Sequence, residues 1–301
     1  MTAFLYALTV FIWGTTWIAI KNELGHVSVE ASIVYRFALA GAVLLAALLL
    51  TRRLQPIPLR HQPFVVLQAL CLFSCNFLCF YTATSFVPSG IVSVVFSAAT
   101  IFNMLNALIV HGRRPERRVL TGAMLGVLGI ASLSYGTLVE ARLGVDTAYG
   151  FALALLGTWL FSAGNLVSAR NQRYGLQVAS VNAWAMLYGA AIVSLMAVVR
   201  GAAFTFDPSP VYIGSLLYLA IPGSVIGFTS YLTVVHRLGP ERAAYMTVLF
   251  PVVALTVSVF AEGYRITLVA GGGLLLVLIG NLLVFGQSRR DPRLKTQTAK
   301  A

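Results

Sequence analysis

Two basic side chains stand where an apolar chain tolerates them least. Lys21 closes the run FIWGTTWIAIK, and Arg36 lies just inside the run SIVYRFALAGA. A charge left unpaired at the centre of a bilayer helix costs roughly 2.5–3.5 kcal/mol on insertion scales. Either Arg36 snorkels to the surface beside Glu23 or Glu30, or it joins Lys21 in an electropositive lip for an anionic group. The residues alone leave both readings open. Ser93, Ser97, Thr100, Asn103 and Asn106 recur at spacings of three and four, so they share one helix face. In lipid such a stripe either glues helices together or lines a cavity. Cys71, Cys75 and Cys79 form a second stripe, read as small packing residues because no charge that would stabilise a thiolate accompanies them. All nine acidic residues fall in loops or near helix ends. A carboxylate held within the membrane, as proton-coupled cation antiporters use, is therefore not expected. With no nucleophile–base pair, phosphate-binding loop or metal-ligand cluster, the chemistry on offer is recognition rather than catalysis. Neither a cofactor nor a metal is called for.

These residues must be positioned by helices. The 301-residue chain is 58% hydrophobic, only 10% charged, and has a mean hydropathy of +0.85. Soluble domains carry about 25% charged residues. Ten apolar segments stand between charges and turn residues: 2–20, 31–50, 63–86, 88–111, 119–135, 147–169, 178–199, 212–235, 240–260 and 266–286. Most approach the roughly 20 residues a helix needs to cross a bilayer. Since backbone groups in lipid must be satisfied internally and period-two alternation is absent, helices are expected rather than a barrel. The first segment has no basic n-region and no small-residue cleavage site, so it reads as a retained helix and not a signal peptide. The net charge of +12 is placed by loop. With a cytoplasmic N-terminus, sixteen of the 21 Lys and Arg fall inside and four outside, Arg36 being within a helix. That is the positive-inside pattern, and it argues against nucleic acid as a partner.

The pattern repeats. NFLCFYTATSFVPSGIVSVVFSAATIFNMLNALIVHGRR (76–114) is echoed by GFTSYLTVVHRLGPERAAYMTVLFPVVALTVSVFAEGYR (227–265), a Pro opening the second helix each time. At an offset of 148, Arg36 falls on Trp184 and Gly41 on Gly189; at 152, Pro88 falls on Pro240. The expected fold class is an all-α membrane protein of ten transmembrane helices in two five-helix repeats, 1–140 and 141–287, with both termini cytoplasmic. A basic, disordered cytoplasmic tail, 288–301, is expected to meet anionic lipid headgroups. Five is odd, so the second repeat enters from the opposite side and the two are inverted. Gly122, Gly126 and Gly129, and Gly271, Gly272, Gly273 and Gly280, mark close helix contacts. Pro222-Gly223 and Pro251 mark kinks.

The Trp-Gly of FIWGTTW, a Lys at that helix's end, Arg36 in the second helix and two five-helix halves resemble the EamA-type branch of the drug/metabolite transporter superfamily, over about residues 3–286. The resemblance implies a bacterial inner-membrane exporter of amino acids or similar amphipathic metabolites. It implies alternating access through a central aromatic cavity lined by helices one, three, four, six, eight and nine. On this sequence the implied substrate-binding candidates are Trp17, Tyr81, Trp159, Tyr231 and Tyr245; Asn103, Arg36 and Lys21 join them as polar candidates. The family's Gly-Glu-Arg after the fourth and ninth helices is altered here to Gly112-Arg113-Arg114 and Glu262-Gly263-Tyr264-Arg265. Efflux of hydrophobic cations is one alternative; a scaffold or lipid-moving protein with no small-molecule site is another. The oligomeric state stays open, a monomer being compatible with the pattern.

Overall fold

The computed structural model describes residues 2–25, 27–111, 117–140, 145–238, 240–263 and 267–285. The side chains of Thr100 and Tyr245, and the tail 288–301, lie outside the described residues. Among those described, all regular structure is helical apart from one bridge between Leu24 and Val27. There are ten helical stretches: α1 Thr2–Asn22, α2 Val29–Leu50, α3 Leu59–Phe86, α4 in two pieces (Ser89–Phe96 and Ala99–His111), α5 Arg117–Glu140, α6 Val145–Arg173 and α7 Val178–Val199. The rest are α8 in three pieces (Pro210–Tyr218, Leu219–Ile226 and Gly227–Leu238), α9 Pro240–Ala261 and α10 Leu268–Phe285. Six of them are long and apolar enough to cross a bilayer, namely α1, α2, α3, α6, α7 and α8; the other four carry shorter apolar stretches.

Local chemistry sets the boundaries. The Ser28 and Ser209 hydroxyls accept from the N–H groups of Ala31 and Tyr212, capping α2 and α8. Pro88 is extended and immediately precedes α4, whereas Pro240 is the first residue of α9. The expected break at Pro222-Gly223 takes the form of a widened π-helical stretch, Leu219–Ile226. Proline lacks the N–H that the α ladder needs, and a wider turn accommodates the loss. A matching π stretch, Leu70–Ser74, interrupts α3 with no proline to announce it. In each, a serine hydroxyl reaches back five residues: Ser74 to the Ala69 carbonyl at 2.9 Å, Ser224 to the Leu219 carbonyl at 2.8 Å.

Packing follows the same duplication. α2 lies on α7, and α5 on α10; α3 and α4 pack on α6 as α8 and α9 pack on α1. Exchanging each helix for the one five places on leaves this set of neighbours unchanged. The α5–α10 seam brings backbones together: a Cβ on Gly129 would stand 2.5 Å from the Gly273 carbonyl, and one on Gly280 2.5 Å from the Gly122 carbonyl. The cysteines remain free thiols, and Cys71 and Cys79 press against Gly164 and Gly157 of α6. In the α4 stripe, one side chain bonds across to a neighbouring helix and two bond within their own. Ser93 and Ser97 donate to carbonyls of their own helix, and Asn106 donates to Ser162 of α6 at 2.8 Å.

Candidate functional site

Where α1, α2, α3, α4, α6, α8 and α9 converge, aromatic rings surround a cavity of about 50 Å³. That is room for a few waters. The Trp13 ring is the hub. Its centroid lies 4.9 Å from that of Phe228, 5.5 Å from Phe250 and 6.4 Å from Phe161, mostly edge to face. Its indole N–H donates to the Gly223 carbonyl at 3.1 Å, in the π stretch of α8. Gly227 must be glycine for this ring to fit, since a Cβ there would collide with Trp13 Nε1. Trp17, one turn on, packs edgewise on Phe80 at 5.4 Å.

Two strongly polar groups interrupt this apolar wall. Asn76 is fully buried, and neither Oδ1 nor Nδ2 has a hydrogen-bond partner among the described residues. An unsatisfied buried polar atom costs about 1–3 kcal/mol, so two on one side chain bordering a cavity mark a place for a polar ligand or water. Arg36 is the other. It does not snorkel, being only 3% exposed. Its guanidinium lies 4.5 Å from the Phe77 ring centroid and 5.1 Å from that of Phe37. Nε donates to Ser224 Oγ at 3.2 Å and Nη1 to the Tyr81 hydroxyl at 3.4 Å. Among the described residues these two bonds engage only part of a five-donor group.

Behind Arg36 stands Glu23, at a helix end as the sequence places it and yet buried. It follows α1 in a tight turn that folds inward, and it is 1% exposed. The Tyr81 hydroxyl donates to Glu23 Oε2 at 2.7 Å, while Oε1 has no partner among the described residues. Burial pushes this carboxyl up to about 7, against the Tyr81 hydrogen bond and the Arg36 charge, which both pull it down. Position in a nominal loop concealed this residue. A turn carries no period from which burial can be read.

The end of the bundle where α1 finishes holds a second recess, of about 410 Å³, bordered by Lys21 and Glu262. Lys21 Nζ donates to the Thr84 carbonyl at 2.9 Å. Glu262 accepts from the Ser89 N–H at 3.1 Å and from the Ser89 hydroxyl at 2.6 Å, and also from Ser258. A carboxylate is thus placed at the N-terminus of α4, where the helix dipole favours it.

Of the sequence candidates, Trp17 and Arg36 border the aromatic cavity. Tyr81 stands behind Arg36, Lys21 opens on the second recess, and Tyr231 backs Trp13 at a centroid distance of 5.0 Å. Trp159 is 42% exposed and Asn103 is half-buried; the structure brings neither to the cavity. The Tyr245 side chain lies outside the described residues. Trp13, Asn76 and the phenylalanines escaped selection. Their common signal is helical spacing on one face, Trp13 with Trp17 and Phe73 with Phe77 and Phe80. Replacing Trp17 by Ala is expected to cut flux severalfold or more, whereas Trp159→Ala should leave it near wild type. Paired flux assays on equal amounts of reconstituted protein check the contrast, and equal losses would contradict it.

The EamA-like transporter family matches the chain twice, over residues 1–135 and 148–286. The chain belongs to the EamA-like transporter family. It is a multi-pass membrane transporter, and the family's members are not enzymes. This EamA chain is 26% identical over 300 residues to a probable amino-acid metabolite efflux pump of Salmonella typhimurium, covering 96% of this chain and 97% of that one. It is likewise 26% identical to an uncharacterized transporter of Archaeoglobus fulgidus, covering 92% and 96%, and to the inner-membrane transporter YedA of Escherichia coli, covering 83% and 79%. A solved crystal structure with 19% identity shares the fold at a TM-score of 0.69, over 96% of this chain and 98% of the other.

Proposed function

We propose that this EamA chain exports small amphipathic carboxylates, above all neutral and aromatic amino acids, across the bacterial inner membrane. The observation that carries this is the makeup of the cavity: one fixed cation, Arg36, and one unsatisfied amide, Asn76, within a wall of aromatic rings. Arg36 holds the carboxylate, Asn76 the amino group, and the rings around Trp13 and Trp17 the side chain. The name of the Salmonella relative points the same way. A few waters' room is too small for such a cargo, so loading requires the helices to part. Alternating access supplies that motion: two inverted repeats, 1–140 and 141–287, rock about the cavity, with both termini cytoplasmic. The π stretches of α3 and α8 are the natural hinges. In this topology Lys21, Glu262 and the second recess form the periplasmic mouth.

The buried Glu23 lends something to the cation-efflux alternative. Yet Arg36, not Glu23, borders the cavity, so a cationic cargo meets positive charge first. The presence of the cavity counts against a scaffold without a small-molecule site. Liposomes holding the purified protein should move labelled phenylalanine or tryptophan faster than empty vesicles. Equal fluxes would end this reading.

A further inference from the structure

We propose that Glu23 is a proton-binding site linked through Tyr81 to Arg36, so that an amine-free carboxylate entering the cavity brings one proton with it. The inference rests on the reading of Arg36 as the carboxylate anchor. It makes a second cargo class, aromatic and other apolar monocarboxylates, a proton-coupled substrate of the same pocket.

Charge conservation among buried groups carries the coupling. Without cargo the buried cation Arg36 is balanced by the buried anion Glu23, with the Tyr81 hydroxyl bonded to both. A cargo carboxylate on Arg36 makes two anions share one cation. In surroundings this apolar, the second negative charge is strongly disfavoured unless one group takes a proton. Glu23 is the group prepared for it, because among the described residues its carboxylate accepts a single hydrogen bond and Oε1 has no donor. The step is one protonation: a proton from water forms an O–H bond on the Glu23 carboxylate, nothing else is made or broken, and the net charge of the site is unchanged. An amino acid behaves differently, since its own ammonium supplies the compensating charge.

Other titratable groups around Glu23 are otherwise employed. Tyr212 of α8 exchanges a hydrogen bond with Ser32 at 3.0 Å, and Lys21 is directed to the Thr84 carbonyl. Glu262 is tied to Ser89 and Ser258 at the second recess. The elevated titration of Glu23 agrees with its role, because it places both forms within reach near neutral pH. Among the described residues the second half has no such pair. At the offset of 148 that sets Arg36 on Trp184, Glu23 falls on Asn171.

The test is calorimetric titration of the purified full-length protein at pH 8 with 3-phenylpropionate, and separately with phenylalanine, in two buffers of different ionisation enthalpy. Expected is an uptake approaching one proton per phenylpropionate, with affinity falling toward about tenfold per pH unit above the Glu23 titration. Glu23→Gln should bind phenylpropionate with no proton uptake and no pH dependence. Tyr81→Phe removes the donor that favours ionised Glu23, so its affinity should begin to fall at a higher pH. Should Glu23→Gln fail to fold, the wild-type proton count and Tyr81→Phe still decide. Binding of phenylpropionate by wild type without proton uptake overturns the proposal, and leaves the export reading standing if phenylalanine also binds. Absence of binding by either ligand overturns both.

Discussion

Arg36→Ala is expected to abolish carboxylate transport, with flux falling more than about 30-fold. Truncating one member of a buried hydrogen-bonded charge pair typically costs 2–5 kcal/mol. Here the loss falls on the cargo as well as on the protein, because the guanidinium serves Ser224 and Tyr81 and borders the cavity. The same change leaves Glu23 without its cation, so the carboxyl stays protonated near neutral pH and destabilises the fold increasingly as pH rises above about 7. The two effects separate in the double variant Arg36→Ala with Glu23→Gln. It should recover thermal stability at that higher pH while transport stays lost. Arg36→Lys is no rescue, since an ammonium cannot reproduce the planar fork that reaches Ser224 and Tyr81 together. Reconstituted flux of phenylalanine alongside detergent melting curves measures both quantities. Transport within threefold of wild type in the double variant would remove Arg36 from the cargo path.

Gly129→Ala should destabilise the folded protein by about 1–3 kcal/mol, the usual cost of forcing extra volume into a packed contact. The added methyl would stand 2.5 Å from the Gly273 carbonyl and 2.7 Å from the Val277 backbone nitrogen, so one helix must back away from the other. Side-chain rotation cannot relieve a clash with backbone. Gly272, on the same seam partner, is the internal control. A Cβ there meets nothing within 4 Å, and Ala is the better helix former, so Gly272→Ala should be neutral or slightly stabilising. Parallel thermal unfolding in one detergent decides between them. Equal shifts would mean that glycine content, and not close approach at Gly129, holds α5 to α10.

Several features are legible in the sequence alone. Ten apolar segments and the punctuation by Pro88 and Pro240 follow from rules that act within a dozen residues, and the structure has ten helical stretches there. The glycines of α5 were equally readable, because small residues at spacings of three and four are what a close helix seam demands. The π stretch at Leu219–Ile226 was half visible through Pro222; its counterpart at Leu70–Ser74 was invisible, because Ser74 looks like any helical serine until its hydroxyl finds Ala69.

The site belongs to another order of information. Trp17 and Trp159 look alike as tryptophans in apolar runs, and only the packing of α1 among its neighbours turns the first toward a cavity while the second stays 42% exposed. Glu23, Arg36 and Tyr81 come from a turn and two helices, and their meeting depends on how α1, α2 and α3 converge. Hydrophobic length and period are summed along the chain, so the chain by itself determined the helices and their number. Burial of a charge is decided by what lies across from it in space. The tertiary structure alone therefore determined that a carboxylate in a nominal loop would sit behind the one arginine facing the cavity.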